Sequence, residues 1–191
     1  MGLRSYDVLL HTPQITLRRL HPDDLAAFQI YRHDQALARY QGWTVQADEA
    51  ALDFLVAMAE APLFRPGHWI QLGMADPLSN LLIGDLGVFL SDDQTYCTIG
   101  FTLSRPWQRR GIASEALNIL STILFTQTPI QRIEASADMR NTPSWRLLER
   151  CGFRRIDARD AFFKGEWCTE YLYTYARLDY EASTIHTLVS E

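Results

Sequence analysis

Apolar positions along the chain change spacing repeatedly, and each change marks an element. Ala113, Ala116, Leu117, Leu120, Ile123 and Leu124 recur at intervals of three and four, which predicts a helix from Ile112 to about residue 125 with one buried stripe. "ITLRRL" (15–20) alternates as a strand. "HPDDLAAFQIYRH" opens with proline and aspartates and continues at helical spacing through Leu25, Phe28 and Tyr31. A short helix at 35–40 is broken by Gly42, and a further helix covers 47–60, with Asp48 and Glu49 where carboxylates favour the helix dipole. Segments 68–74, 81–90 and 95–103, joined by "DPLSN" and "SDDQ", predict an antiparallel meander. A strand at 130–137 follows, then a helix capped by Asn141 or Thr142 and ended by Gly152, strands at 153–157 and 166–176, and a polar tail. The expected class is α+β: a mixed sheet in which 95–103 pairs parallel with 130–137.

Length and composition narrow the setting. With 191 residues, 47% of them hydrophobic and 21% charged, and no linker or repeat, the chain reads as one globular domain over 1–191. No apolar run approaches the ~18 residues of a membrane span, so no membrane partner is expected. The N-terminal segment lacks the apolar core of a secretory signal, and Cys97, Cys151 and Cys168 have unrelated spacing, which points to the cytoplasm rather than to a disulfide framework. The five histidines show no ligand spacing, so no metal is expected.

Charge changes the picture at one place. Residues 1–104 hold 6 basic and 12 acidic side chains, residues 105–164 hold 11 and 6, and residues 165–191 hold 1 and 5. In a chain of net charge −5 the positive charge is thus concentrated from "SRPWQRRGIA" onward, between a strand and a helix start. The first N–H groups of a helix lack intrahelical acceptors and, with the helix dipole, attract anions. The local pattern also fits a solvated turn. The charge distribution favours a polyphosphate ligand over a long nucleic acid, and no nucleic-acid partner is expected. Neither G-x-x-x-x-G-K-[ST] nor G-x-G-x-x-G is present, which sets aside nucleoside triphosphates and dinucleotides.

"QRRGIA" (108–113) satisfies Q/R-x-x-G-x-G/A and resembles the pyrophosphate loop of the GNAT superfamily of acetyl-CoA-dependent N-acetyltransferases. "TPQITLRRLHPDDLAAF", "LLIGDLGVFL", "IGFTLSRPWQRRGIASEAL", "QRIEASADMRNTPSWRLLERCGF" and "GEWCTEYLY" match its RimJ/RimL-type branch in order, over about residues 12–176. The resemblance implies a sheet whose fourth and fifth strands, here 95–103 and 130–137, splay apart to admit the pantetheine arm. It implies that the backbone N–H groups of Arg110, Gly111, Ile112, Ala113 and Ser114 hold the pyrophosphate, with Gln108, Arg109 and Arg110 supplying polarity and charge. Phe101, Thr102 and Leu103 would offer main-chain hydrogen bonds to pantetheine, and Asn141 corresponds to a residue contacting pantetheine or an ordered water. Family habit adds a homodimer.

Acetyl transfer from a thioester to an amine needs a base for the ammonium, a donor for the oxyanion and a path for the thiolate to leave. Strand alternation sets Glu134 and Ser136 opposite Ile133 and Ala135, and Glu134 stands where the Rim-type branch often carries a glutamate. It is the candidate base, with Asp85 and Glu170 in reserve; an ordinary arginine pair on a solvated strand is the alternative. Thr98 holds no carboxylate where the branch often does. The family's leaving-group tyrosine, seven residues past the asparagine, is Leu148 here, so Ser144 of "NTPS" is the candidate donor. Helix capping would equally explain Asn141 and Ser144. The fold would have Tyr31, Tyr40 and Trp43 wall the acceptor side, facing Phe162, Phe163 and Trp167, while ordinary packing in the core is the alternative for each of them. The expected activity is direct acetyl transfer from acetyl-CoA to a primary amine, on a protein N-terminus or a small molecule. A non-catalytic acyl-CoA-binding module and a transferase of another acyl group are the rivals.

Overall fold

The computed structural model describes residues 7–189, with side chains through residue 183; the segment 1–6, part of the stretch read above for a secretory signal, lies outside them. Strands β1 (Val8–His11) and β2 (Thr16–Arg19) are followed by a 3-10 turn at Pro22–Asp24 and helices α1 (Leu25–Arg32), α2 (Gln35–Ala38) and α3 (Asp48–Glu60). Strands β3 (Trp69–Ala75), β4 (Leu82–Leu90) and β5 (Tyr96–Leu103) form the meander. After a second 3-10 turn, Arg105–Trp107, come α4 (Ile112–Gln127), β6 (Arg132–Asp138), α5 (Thr142–Arg150), β7 (Arg154–Phe163), β8 (Glu166–Ala176) and α6 (Arg177–Val189).

The strands lie in the order β1-β2-β3-β4-β5-β6-β8-β7. Among the described residues only β5 and β6 run parallel, as the helical crossover between them requires, and they pair over three positions: Tyr96 with Arg132, Cys97 with Ile133 and Thr98 with Glu134. Beyond Thr98 the two strands part. This is the expected splay, one strand later in the count because β1 precedes the first strand read from the sequence.

Alternation sorts the sheet into two faces. Leu72, Leu86, Val88, Cys97, Ile99 and Ile133 face α4 and α5, packing with Ala116, Leu117, Leu120, Leu147 and Leu148 in the larger core. The other face carries α1 and α3, where Leu20, Phe28, Tyr31, Ala51 and Leu55 form a second cluster. Charged groups are buried there in pairs. Arg18, fully enclosed, makes a two-pronged contact with Asp24 at 2.9 and 2.8 Å, and Asp24 also accepts from the backbone of His21 at 2.8 Å, fixing where α1 begins.

Three elements depart from the sequence expectation. β1 is a four-residue strand that pairs with β2. β7 continues past Asp157 to Phe163; it is the edge of the sheet and nearly all of it is exposed, so charges stand on both its faces and no alternation survives. The expected polar tail is α6. Its first residue, Arg177, donates to the carbonyls of Phe125 (2.7 Å), Thr128 (2.8 Å) and Ile130 (2.8 Å), and Tyr180 packs on Phe125 at 5.1 Å between ring centres. That contact is tertiary, with no local signature. No helix among the described residues is long and apolar enough to cross a membrane.

Candidate active site

The parting of β5 from β6 leaves backbone groups without a strand partner. Ser104 N–H donates to Ile83 O (2.8 Å) and Ser91 N–H to Tyr96 O (3.0 Å), which fixes the phase of the β4–β5 ladder. Thr98, Gly100 and Thr102 therefore turn their N–H and C=O groups toward β4, while Phe101 and Leu103 turn theirs into the gap. The two gap-facing carbonyls are occupied by side-chain amides: Gln41 Nε2 donates to Phe101 O (3.1 Å) and Gln108 Nε2 to Leu103 O (2.8 Å). Of the three residues expected to offer main-chain bonds, Phe101 and Leu103 present them to the gap. Thr102 pairs its backbone with Asp85, and its hydroxyl is buried without a hydrogen-bond partner among the described residues. At this end β4 and β5 approach closely; a Cβ on Gly84 would sit 2.3 Å from Thr102 O.

The basic loop closes the open end of the gap. Arg109 (φ +62°) and Gly111 (φ +82°) both take left-handed conformations on either side of Arg110, and Gly111 is the N-cap of α4. The intrahelical ladder starts only at Glu115 N–H to Gly111 O (3.1 Å), so the amides of Ile112, Ala113 and Ser114 point outward without intrahelical acceptors. Alternating left-handed backbone ahead of a helix start gathers N–H groups into an anion-binding concavity. The arginines divide the work. Arg105 is committed to Asp34 (Nη2 to Oδ1 2.9 Å), and its hydrogen bond holds the Asp34 carboxyl below the ordinary range; Asp34 in turn caps α2 through Ala36 N–H and Leu37 N–H. The Arg110 guanidinium lies 5.2 Å over the Trp107 ring, and Arg109 is exposed with no ion pair among the described residues. A cavity of about 320 Å3 between α2 and this loop is lined by Ala36, Leu37, Arg105, Gln108 and Arg109.

Glu134 stands at the closed vertex of the gap, opposite Thr98. Its side chain is about one-third exposed and paired with Arg132 Nε at 2.7 Å, the partnership weighed above as the alternative to catalysis. Ser144 lies in the first turn of α5, and its hydroxyl makes no side-chain hydrogen bond among the described residues, whereas Leu148 one turn on is wholly buried apolar core. Asn141 is the N-cap residue of α5 but makes no side-chain capping bond, so capping does not occupy its amide.

The acceptor-side residues separate. Tyr31 is 1% exposed, and its hydroxyl donates to Asp85 at 2.6 Å; burial, then the Asp85 charge, raise its pKa well above the ordinary value, so it belongs to the core rather than to an open wall. Asp85 is also fully enclosed and accepts from Arg32 Nη2 (2.8 Å) and Gln71 Nε2 (2.8 Å). Tyr40 is half-buried under the Arg39 guanidinium, and Trp43 under that of Arg32 at 4.5 Å. Phe162 and Trp167 are an exposed cross-strand pair on the β7–β8 hairpin, and Glu170 is held by Arg159 at 3.2 Å. A cavity of about 340 Å3 beside that hairpin, lined by Met139, Arg140, Asp160, Trp167, Cys168 and Thr169, touches neither the loop nor the gap-facing edge of β5.

Two residues at the site went unread in the sequence. Gln41 follows α2 with no motif around it. Lys164, at φ +49°, forms with Gly165 (φ +84°) the two-residue turn between β7 and β8, and donates to Ala38 O and Trp43 O, both at 2.7 Å. The Lys-Gly pair was a legible hairpin signal, but its contacts depend on the fold.

A parallel seam that parts, with the outward amides of a helix start at its mouth, could admit an extended ligand with an anionic end. The family model for the acetyltransferase (GNAT) domain matches residues 14–154, and the chain belongs to that family of N-acetyltransferases. It is 26% identical over 174 residues to the uncharacterized N-acetyltransferase p20 of Bacillus licheniformis, covering 90% of this chain and 97% of that one. Its fold is similar to an acetyltransferase (GNAT family) from Bacillus anthracis (TM-score 0.78, 22% identity, 88% of this chain and 98% of that one). It is also similar to RimL, the ribosomal L7/L12 alpha-N-protein acetyltransferase, in complex with coenzyme A (TM-score 0.76, 16% identity, 89% and 98%).

Proposed function

We propose that this chain transfers an acetyl group from acetyl-CoA directly to a primary amine, on a protein N-terminus or a small molecule. The observation that carries the reading is the gap itself: the edge of β5 at Phe101 and Leu103, which has no strand partner and whose carbonyls are met only by side-chain amides, runs from the Gly111 loop to the vertex at Glu134. A pyrophosphate on the loop amides would leave pantetheine along that edge, with the thioester toward the vertex. The name of RimL, a protein N-terminal acetyltransferase, supports an α-amine as one acceptor class.

Direct transfer suits the thiols. Cys97 is pushed up to about 12 by burial, and Cys151 and Cys168 are likewise raised with burial as the leading cause, so none offers a ready thiolate for a covalent intermediate. In this reading Glu134 takes the proton from the amine, oriented by Arg132, and Ser144 donates to the departing thiolate. Incubation with acetyl-CoA and a panel of peptides and small amines, read by mass spectrometry, tests the activity. Acetyl-CoA binding without any acetylated product would make the chain a binding module.

Two substitutions test the roles. Ser144→Ala is expected to slow the chemical step ~10²-fold with little change in acetyl-CoA affinity, as for loss of a general acid. A residue that only supported the helix start would instead cost about 1 kcal/mol of stability and spare turnover. Glu134→Gln is expected to depress the rate at neutral pH and to recover partly at higher pH, where more of the amine is already deprotonated. Normal turnover in both variants would assign the proton transfers elsewhere.

A further inference from the structure

We infer that Gln41 orients the incoming amine and that Lys164 is the clamp that holds it in place; this rests on the transferase reading above. Gln41 has its carboxamide split between two tasks. The Nε2 end is fixed on the backbone, donating to Phe101 O at 3.1 Å on the gap-facing edge of β5. The Oε1 end accepts no hydrogen bond among the described residues and is not sealed in the interior, unlike the carboxamide oxygen of Gln29, which is buried without a partner. An anchored amide with a free carbonyl oxygen beside the acyl path is suited to accept one N–H of a primary amine. Accepting that hydrogen directs the nitrogen lone pair away from Gln41 and leaves another N–H for the base.

The segment that carries Gln41 is tied at both ends, which is what fixes a half-buried glutamine in place. On the upstream side Arg105 holds Asp34 at the cap of α2. On the downstream side Lys164 reaches across from the β7–β8 turn and donates to Ala38 O and Trp43 O, bracketing residues 39–42 between two 2.7 Å hydrogen bonds. Glu166 on the same hairpin adds Arg39 at 3.5 Å and Arg140 at 3.1 Å. The hairpin thus acts on the acceptor through Gln41 and not by contact, which makes Lys164 a positioning residue.

The experiment uses the full chain with acetyl-CoA and whichever of spermidine or a free-amino alanine-rich hexapeptide the unaltered protein acetylates faster. Gln41→Ala is expected to lower kcat/KM for that amine about tenfold, the scale of one hydrogen bond lost from a site. The acetyl-CoA dissociation constant and the thermal midpoint should stay unchanged. Lys164→Met should lower the same quantity, and the double variant should fall no further than Gln41→Ala, since the clamp acts through that residue. Unchanged amine kcat/KM in Gln41→Ala overturns the inference, as does an equal loss in acetyl-CoA affinity, which would place Gln41 on the pantetheine side. Fully additive losses in the double variant would remove Lys164 from it. If the unaltered protein binds acetyl-CoA but acetylates neither amine nor any of the panel, the transferase reading falls first and this inference with it.

Discussion

Gly111→Glu is expected to abolish acetyl-CoA binding in a protein that still folds. Gly111 holds φ +82° at the N-cap of α4, where any Cβ adds strain of about 1–2 kcal/mol. Space is not the obstacle: the nearest atom to a Cβ there is Gln14 Oε1 at 3.7 Å. A carboxylate at that point would lie against the outward amides of Ile112 to Ser114 and satisfy them, which favours the helix while filling the anion site with like charge. Like-charge juxtaposition costs several kcal/mol, so affinity should drop by ~10³-fold or more in calorimetry. Gly111→Ala is the control. It carries the backbone strain without the charge and should weaken binding far less. An unaltered dissociation constant for Gly111→Glu would remove this loop from the cofactor site.

Asp85→Ala is expected to destabilise the protein by about 3–5 kcal/mol, the scale for removing one partner of a buried ion pair. Asp85 is fully enclosed, and three donors converge on it: the Tyr31 hydroxyl (2.6 Å), Arg32 Nη2 (2.8 Å) and Gln71 Nε2 (2.8 Å). Without the carboxylate, the Arg32 guanidinium, itself 6% exposed, would keep its charge between Phe28 and Trp43 with no counterion. Urea unfolding should show the midpoint falling by one or more molar, given slopes of about 1–3 kcal/mol per molar for proteins of modest size. A midpoint within error of the unaltered protein would show that the cluster contributes nothing net. The same result bears on catalysis, because a carboxylate held by three donors inside the core is poorly placed to collect a proton from a substrate.

What the sequence disclosed follows from how local each signal is. The meander, α4 and the parallel pairing of β5 with β6 were legible, because alternation, helical period and the handed crossover are properties of short stretches. The basic loop was legible because glycine and arginines mark backbone and charge together. Tyr31 was ambiguous for the same local reason: helical spacing puts it on the apolar stripe of α1, which fits either core or acceptor wall, and only the fold shows that the stripe meets Asp85 and seals the ring inside. β7 resisted because an edge strand with both faces in water has no apolar period to detect. Lys164 and the segment that carries Gln41 are brought together only by the fold, across 121 residues from Trp43 to Lys164, so no spacing rule could reveal the contact.

The three-pair contact between β5 and β6 has a thermodynamic consequence. Strands β1 to β5 and β6 to β8 are each continuous ladders, joined within the sheet by Tyr96–Arg132, Cys97–Ile133 and Thr98–Glu134. A ligand lying along Phe101 and Leu103 would supply acceptors for their N–H groups, which a longer β6 pairing would have engaged, so ligation completes part of the hydrogen bonding that the amides of Gln41 and Gln108 leave open. Such a ligand binds the native chain and not the unfolded one, and by mass action it adds about 2.7 kcal/mol of stability at a concentration one hundred times its dissociation constant. The seam would then open less readily with ligand bound than without it, which links this protein's resistance to local unfolding and proteolysis to the supply of that ligand.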